Sequence, residues 1–304
     1  MGRIAFVFSG QGAQYPGMGK ELYDSSAAAR AIFDRADAIR PGTSRQCFEG
    51  TDEELKETKN TQPCMFTVEL AAAAALEEAG VHAEMAAGFS LGELAALTFA
   101  GVMDFDTGFQ LVCSRGERMQ AASEAQDTAM AAVLRLENSA VEELCAQFEG
   151  VYPVNYNCPE QVTVSGLASQ MDAFAAAVKA AGGRAMPLKV RGAFHSPYMA
   201  EAAKGFEGDL RASTLKAPAL PVYANRTAQP YGGDVLPVLA EQIDHPVLWE
   251  ATVRNMIDAG ADTFIEVGPG RTLCGLIAKT DKSVRTFSAE KSDDLHKAVE
   301  GVLG

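Results

Sequence analysis

Ser90 is the residue of this 304-residue chain best placed to do chemistry. It stands in Gly88-Phe89-Ser90-Leu91-Gly92, followed by Glu93, and Gly-x-Ser-x-Gly is the spacing that presents a serine on a tight bend between strand and helix. Such a bend holds the serine in a strained backbone region, and a side chain at either glycine would collide where strand and helix converge. A chain of this length carries the match by chance about one time in ten, so the neighbours must decide. Met85-Ala86-Ala87 can form a short buried strand, and 91–99 reads as a Leu- and Ala-rich helix closed near Gly101. Strand, bend and helix thus come in the order a nucleophile needs. A serine that merely caps the helix is the competing reading.

A serine nucleophile needs a general base, nearly always histidine, and there are four. His82 precedes the elbow strand, where a surface position is expected. His245 precedes Pro246 in a polar loop, and His296 sits in a solvent-facing helix start, Ser292-Asp293-Asp294-Leu295-His296-Lys297. His195 instead lies between Ala193-Phe194 and Ser196-Pro197, where two differently patterned parts of the chain meet, and such junctions form pockets. An ordinary α/β-hydrolase supplies serine, then an acid, then a histidine near the chain end. Either His296 is the base of a conventional hydrolase, or His195 belongs to another architecture. In the helix 107–122, Phe109, Val112, Gly116 and Met119 form the inward stripe and Arg115 lies beside it, expected half-buried. Its guanidinium then needs a carboxylate, from a substrate or from an internal Asp or Glu.

The elements that must position these residues begin with a strand, 3–8, entering Ser9-Gly10-Gln11-Gly12-Ala13-Gln14-Tyr15-Pro16-Gly17. Its glycines permit backbone N–H groups to face a site. Tyr15 stands where a dinucleotide fingerprint has its third glycine, and Gly19-Lys20 lacks the upstream glycine and following Ser or Thr of a P-loop. Helices are expected at 21–40, 61–79 and 106–122. Between 129 and 190 the pattern becomes strand 129–136, helix 139–148, strands 151–157 and 161–165 around Cys158-Pro159, helix 170–181 and strand 184–190. That order is a ferredoxin-like module. The strand 263–267, running into Gly268-Pro269-Gly270, resumes the style of a buried strand followed by a loop and helix.

With 47% hydrophobic residues the chain can bury one large α/β domain carrying an insertion, or two domains. The opening run Ile4-Ala5-Phe6-Val7-Phe8 is too short for a signal peptide or a membrane span, and Phe6 stands where a myristoylation signal needs Ser or Thr. Six cysteines without a Cys-x-x-Cys pair suit reduced thiols in a cytoplasm and no zinc site. A net charge of −14 argues against nucleic acid or an anionic membrane as partner. An acidic partner must therefore find a local basic patch: Lys189 and Arg191 near Lys179 and Arg184, or Arg271 with Lys279.

Together these residues resemble the malonyl-CoA:acyl carrier protein transacylase family, acyltransferases of bacterial fatty acid synthesis, over essentially the whole chain. The likeness is carried by Phe8-Ser9-Gly10-Gln11-Gly12-Ala13-Gln14, the elbow through Glu93, Ser114-Arg115-Gly116, Gly192-Ala193-Phe194-His195-Ser196-Pro197, Gln242 with Pro246-Val247 and Trp249, and Val267-Gly268-Pro269-Gly270. The resemblance implies an α/β fold: an α/β-hydrolase-like domain of 1–126 and 192–304 with a mostly parallel central sheet, and an inserted ferredoxin-like α+β domain of 127–191. It implies Ser90 as nucleophile, His195 as general base and acid, Gln242 orienting His195, and the N–H groups of Gln11 and Leu91 as oxyanion hole. Arg115 would bind the malonyl carboxylate, and Asn155 and Gln161 would line the pocket. Phe194 matches the malonyl-selective form, in which a ring crowds an α-methyl branch, a preference worth about 1–3 kcal/mol. Phe89 departs from the pattern, which commonly has histidine there. Malonyl-CoA and an acyl carrier protein are the implied partners, with no metal or redox cofactor, and a cytoplasmic monomer is expected. A discrete polyketide acyltransferase and a serine esterase or thioesterase are the alternatives.

Overall fold

The computed structural model describes residues 2–190 and 192–304. The chain opens with β1 (Arg3–Phe8) and five helices, α1 (Lys20–Ser25), α2 (Ala27–Ile39), α3 (Thr43–Glu49), α4 (Asp52–Lys56) and α5 (Thr58–Glu78). The elbow region follows as β2 (Met85–Gly88), α6 (Gly92–Phe99) and α7 (Phe105–Glu124). Next come β3 (Thr128–Leu134), α8 (Asn138–Cys145), β4 (Val151–Cys158), β5 (Gln161–Leu167), α9 (Ala168–Ala180) and β6 (Arg184–Pro187). The remainder comprises α10 (Ala200–Ala212), β7 (Val222–Tyr223), α11 (Leu236–Ala240), α12 (Trp249–Asp258), β8 (Ala261–Val267), α13 (Thr272–Thr280), β9 (Arg285–Ala289) and α14 (Ser292–Leu303).

Two sheets result. The first runs β7-β2-β1-β8-β9, parallel throughout. Ala5, Phe6, Val7 and Phe8 of β1 are all buried, because a central parallel strand is covered on both faces and so reads as a continuous apolar run. Phe6 and Phe8 pack on one side with α5 and α6, whereas Ala5 and Val7 pack on the other with Trp249, Val253 and Phe264. α5 is buried on nearly all sides, as a stretch from Cys64 to Leu76 that is apolar except for Thr67 and Glu69 requires. The second sheet, β4-β5-β3-β6, is antiparallel and carries α8 and α9 over a core that includes Val133, Val162, Val164 and Phe174. That strand order is the ferredoxin-like one expected from the pattern. The antiparallel sheet is tied to the segment leading into α12, where Tyr156 N–H donates to the Val247 carbonyl and Val247 N–H to that of Val154, at 2.9 and 2.8 Å.

Some elements differ from expectation for local reasons. The helix expected at 21–40 is two, because Ser26 is extended and its side chain accepts from Ala29 N–H to cap α2. α4 is too short to show an apolar period, yet Thr51 and Glu54 close it with a capping box. The strand expected to reach 190 ends at Pro187. The two residues of β7 carry no readable alternation. No helix among the described residues is long and apolar enough to cross a membrane.

Candidate active site

β1 and β2 end side by side, with Phe8 opposite Gly88, so the Gln11 loop and the serine elbow leave the same carboxyl edge of the sheet, where such folds place their sites. Ser90 has φ 54°. A Cβ on Gly88 would lie 1.9 Å from the Gly92 carbonyl carbon, and one on Gly92 would lie 2.4 Å from the Phe8 carbonyl oxygen. Both glycines are therefore steric necessities of the bend.

Among the four histidines, the tertiary structure brings His195 to the serine. Its Nε2 is 2.7 Å from Ser90 Oγ and its Nδ1 is 2.9 Å from the Gln242 carbonyl oxygen. A carbonyl can only accept, so Nδ1 carries the proton and the Nε2 lone pair faces the hydroxyl. Burial first, then the charge of Arg115, pushes the imidazole pKa down to about 4, so the ring is neutral at pH 7 and free to take a proton. His296 is exposed on α14, His82 pairs with Glu77, and His245 pairs with Asp244. The conventional-hydrolase reading of His296 has no geometric support.

Gln242 reaches His195 through its main-chain carbonyl, which accepts from Nδ1–H. The side chain is engaged elsewhere: Nε2 donates to the Ser90 carbonyl at 2.6 Å, and Oε1 accepts from Arg115 Nη2 at 2.8 Å. Arg115 is fully buried rather than half-buried, its guanidinium meeting the Ser90 elbow and the Gln242 side chain, neither of which helical periodicity could place there. Its Nη2 lies 3.2 Å from Ser90 Oγ, whereas Nε and Nη1 have no partner among the described residues. No carboxylate among the described residues pairs with it. Burial lowers its pKa to about 10, so it remains a cation at neutral pH.

Leu91 is fully buried, and neither its N–H nor that of Gln11 donates to an acceptor among the described residues. Buried N–H groups are rarely left unpaired, since each costs a lost hydrogen bond. Phe194 is buried in the main core beside His195. The Phe89 ring meets Trp249 edge-on, centroids 5.4 Å apart, and lines a cavity of about 220 Å³ with Gln11, Asn155 and Gln161. The structure thus gathers Asn155 and Gln161 on the Gln11 and Phe89 side, without a hydrogen bond to Ser90 or His195 among the described residues. Asn155 Oδ1 is buried without a partner, and Gln161 Oε1 accepts from Lys279 Nζ at 3.1 Å. Gln11 also lines a larger cavity of about 760 Å³, with Thr58, Gln120 and Lys189 on its wall. Arg191 lies outside the described residues. Sequence reasoning passed over Asn225 and Tyr231, which join Glu93 beneath the elbow; no spacing signal links residues more than 130 positions apart.

A profile of the acyl transferase domain family matches residues 5–299. A malonyl CoA-acyl carrier protein transacylase of Bacillus subtilis (strain 168) is 37% identical over 308 residues, covering 99% of this chain and 97% of the relative. The crystal structure of a malonyl CoA-acyl carrier protein transacylase from Clostridium perfringens superposes with a TM-score of 0.96 at 33% identity, covering 99% of this chain and 97% of that one. A malonyl-transacylase solved in complex with a type II PKS acyl-carrier protein superposes with a TM-score of 0.94 at 31% identity, covering 98% and 99%.

Proposed function

The chain belongs to the malonyl CoA-acyl carrier protein transacylase family, and we propose that it moves a malonyl group from malonyl-CoA to the phosphopantetheine thiol of an acyl carrier protein, for fatty acid synthesis, through a malonyl-Ser90 ester. The observation that carries the malonyl assignment is Arg115: a buried cation 3.2 Å from the nucleophile, with Nε and Nη1 unpartnered. A carboxylated acyl group on Ser90 supplies the missing anion, and guanidinium is the group that matches a carboxylate in two bonds.

The chemistry follows from the distances. Ser90 Oγ bonds to the thioester carbonyl carbon while its proton passes to His195 Nε2, and the carbonyl electron pair moves onto oxygen. That oxyanion is received by the N–H groups of Gln11 and Leu91, a contribution worth roughly a hundred- to a thousandfold per donor. Collapse breaks the C–S bond, and the imidazolium returns its proton to the departing CoA sulfur. The carrier's thiol then repeats the sequence in reverse. The buried setting favours thiol over water as the second acceptor. The same reading includes a cytoplasmic monomer that uses no metal or redox cofactor.

Brief incubation with malonyl-CoA followed by intact-mass measurement tests the proposal. A malonyl adduct is expected on the wild type and absent from Ser90→Ala. Turnover without an adduct would overturn the covalent route. Comparing kcat/KM on fatty-acid and polyketide carrier proteins separates the two pathway readings.

A further inference from the structure

Ser90 holds a left-handed backbone conformation that side chains disfavour, φ 54°, so something must hold it there. The local chain does so only in part. The Ser90 N–H donates not to the main chain but to Asn225 Oδ1, at 2.7 Å. The same amide donates from Nδ2 to the Gly88 carbonyl at 2.6 Å. One side chain thereby spans the bend, gripping the peptide groups on either side of Phe89. Asn225 is in turn held from both directions: its N–H donates to Glu93 Oε1 at 3.0 Å, and its carbonyl accepts from Leu248 N–H at 2.9 Å. Tyr231 OH donates to the same Glu93 oxygen at 2.7 Å. Asn225 is 1% exposed, Glu93 0% and Tyr231 9%, so water does not compete for these bonds.

We infer that Asn225, anchored through Glu93 and Tyr231, is a positioning residue of the reaction: its amide fixes the elbow so that Ser90 Oγ meets His195 Nε2 and the Leu91 N–H stays turned toward the developing oxyanion. The inference rests on the acyl-transfer reading above. It explains why Leu91 N–H finds no internal acceptor although the residue is fully buried: the peptide plane before it is pinned by Gln242 Nε2 on the Ser90 carbonyl, and the one before that by Asn225. An elbow released at Asn225 can rotate those planes, and misplacement of reacting groups by about 1 Å costs on the order of a hundredfold in rate. Asn225 touches neither substrate nor reacting atom, so substrate binding is spared.

Variants at Asn225 and Tyr231, assayed for burst acylation and steady-state transfer with malonyl-CoA, test this. Asn225→Ala should lower kcat about a hundredfold and leave KM for malonyl-CoA within about threefold. Asn225→Asp is the discriminating variant. Ionised, the introduced carboxylate cannot donate to the Gly88 carbonyl and faces Glu93; neutral, its O–H can donate there while the other oxygen still accepts from Ser90 N–H. Its rate relative to Asn225→Ala should therefore climb as pH is lowered from about 8 to about 5, a recovery that a merely structural role does not produce. Tyr231→Phe, which removes one bond and keeps the ring, should lower kcat about three- to tenfold, and serves if Asn225→Ala does not fold. A kcat of Asn225→Ala within about threefold of wild type, a matching rise in KM, or an Asp-to-Ala ratio flat with pH would overturn the inference. If Asn225→Ala does not fold, a wild-type kcat for Tyr231→Phe would do the same. Absence of a malonyl adduct on the wild type would instead overturn the function itself, so the two failures are distinguishable.

Discussion

Two sides of the Ser90 hydroxyl are built in opposite ways. Behind it, the groups that hold the serine and the histidine have partners: Asn225 on the Ser90 N–H and Gly88 carbonyl, Gln242 on the Ser90 carbonyl, and a main-chain carbonyl on His195 Nδ1. In front of it, Arg115 Nε and Nη1 and the Leu91 and Gln11 N–H groups have none. The groups that must not move are satisfied from within, and those that must receive a substrate are left unsatisfied. A buried unpartnered donor is costly, so its persistence beside a nucleophile marks where an anion is expected. The two buried ionisable groups of the site differ as well: Glu93 Oε1 accepts from both Tyr231 and Asn225, with Oε2 unpartnered among the described residues, whereas the Arg115 Nη2 meets only neutral oxygens.

The largest expected effect breaks the open side. Arg115→Ala should lower malonyl transfer by roughly a hundred- to a thousandfold, the loss of a buried charge-assisted pair, while leaving acetyl transfer equal or improved. Parallel loss for both acyl groups would place Arg115 with the structural side instead. Next comes pH. With His195 at about 4, kcat/KM should hold through the usual histidine range and fall only near pH 4 to 5. Because Arg115 helps depress that pKa, Arg115→Ala should move the acid limb upward; an unmoved limb near 6.5 in both proteins would show that another group titrates.

His195 and Glu93 tie stability to pH with opposite signs. The unfolded chain binds a proton at His195 below about 6.5 and the folded one only below about 4, so folding loses up to about 3 kcal/mol as pH falls through that window. Glu93, raised to about 7 by burial, holds its proton longer in the folded state, so its contribution weakens folding as pH rises from about 4.5 to 7. The two contributions oppose one another between about pH 4.5 and 6.5, so the denaturant midpoint of Glu93→Gln relative to wild type should rise as pH is raised through that range; a difference flat with pH would show that Glu93 does not titrate there. The smallest effect is expected at the cavity wall: Lys189→Glu should raise KM for the carrier protein about three- to tenfold and leave that for malonyl-CoA unchanged, with the difference shrinking in high salt. Equal carrier kinetics would remove Lys189 from the docking surface.

The elbow was legible because its requirement is local: Gly88 and Gly92 sit where a Cβ meets backbone, and the strand and helix that create the contact flank them within a few residues. The antiparallel module was legible for the same reason, each strand and helix declaring its own period. Arg115 was legible as a candidate but not in depth, since helical period assigns an angle around α7 and says nothing of the Ser90 elbow and Gln242 that meet its guanidinium. Asn225 and Tyr231 were invisible, an asparagine and a tyrosine among others until the chain closed on them. By itself, then, the order of residues determined a serine that must be exposed on a bend, an arginine near an apolar face and a histidine at a junction. Only the tertiary structure decided which histidine meets the serine, that Gln242 serves His195 by its carbonyl and Ser90 by its amide, and which donors are left without partners. Backbone sterics act between neighbours in sequence, whereas hydrogen-bond partnership is settled between residues that meet only in space.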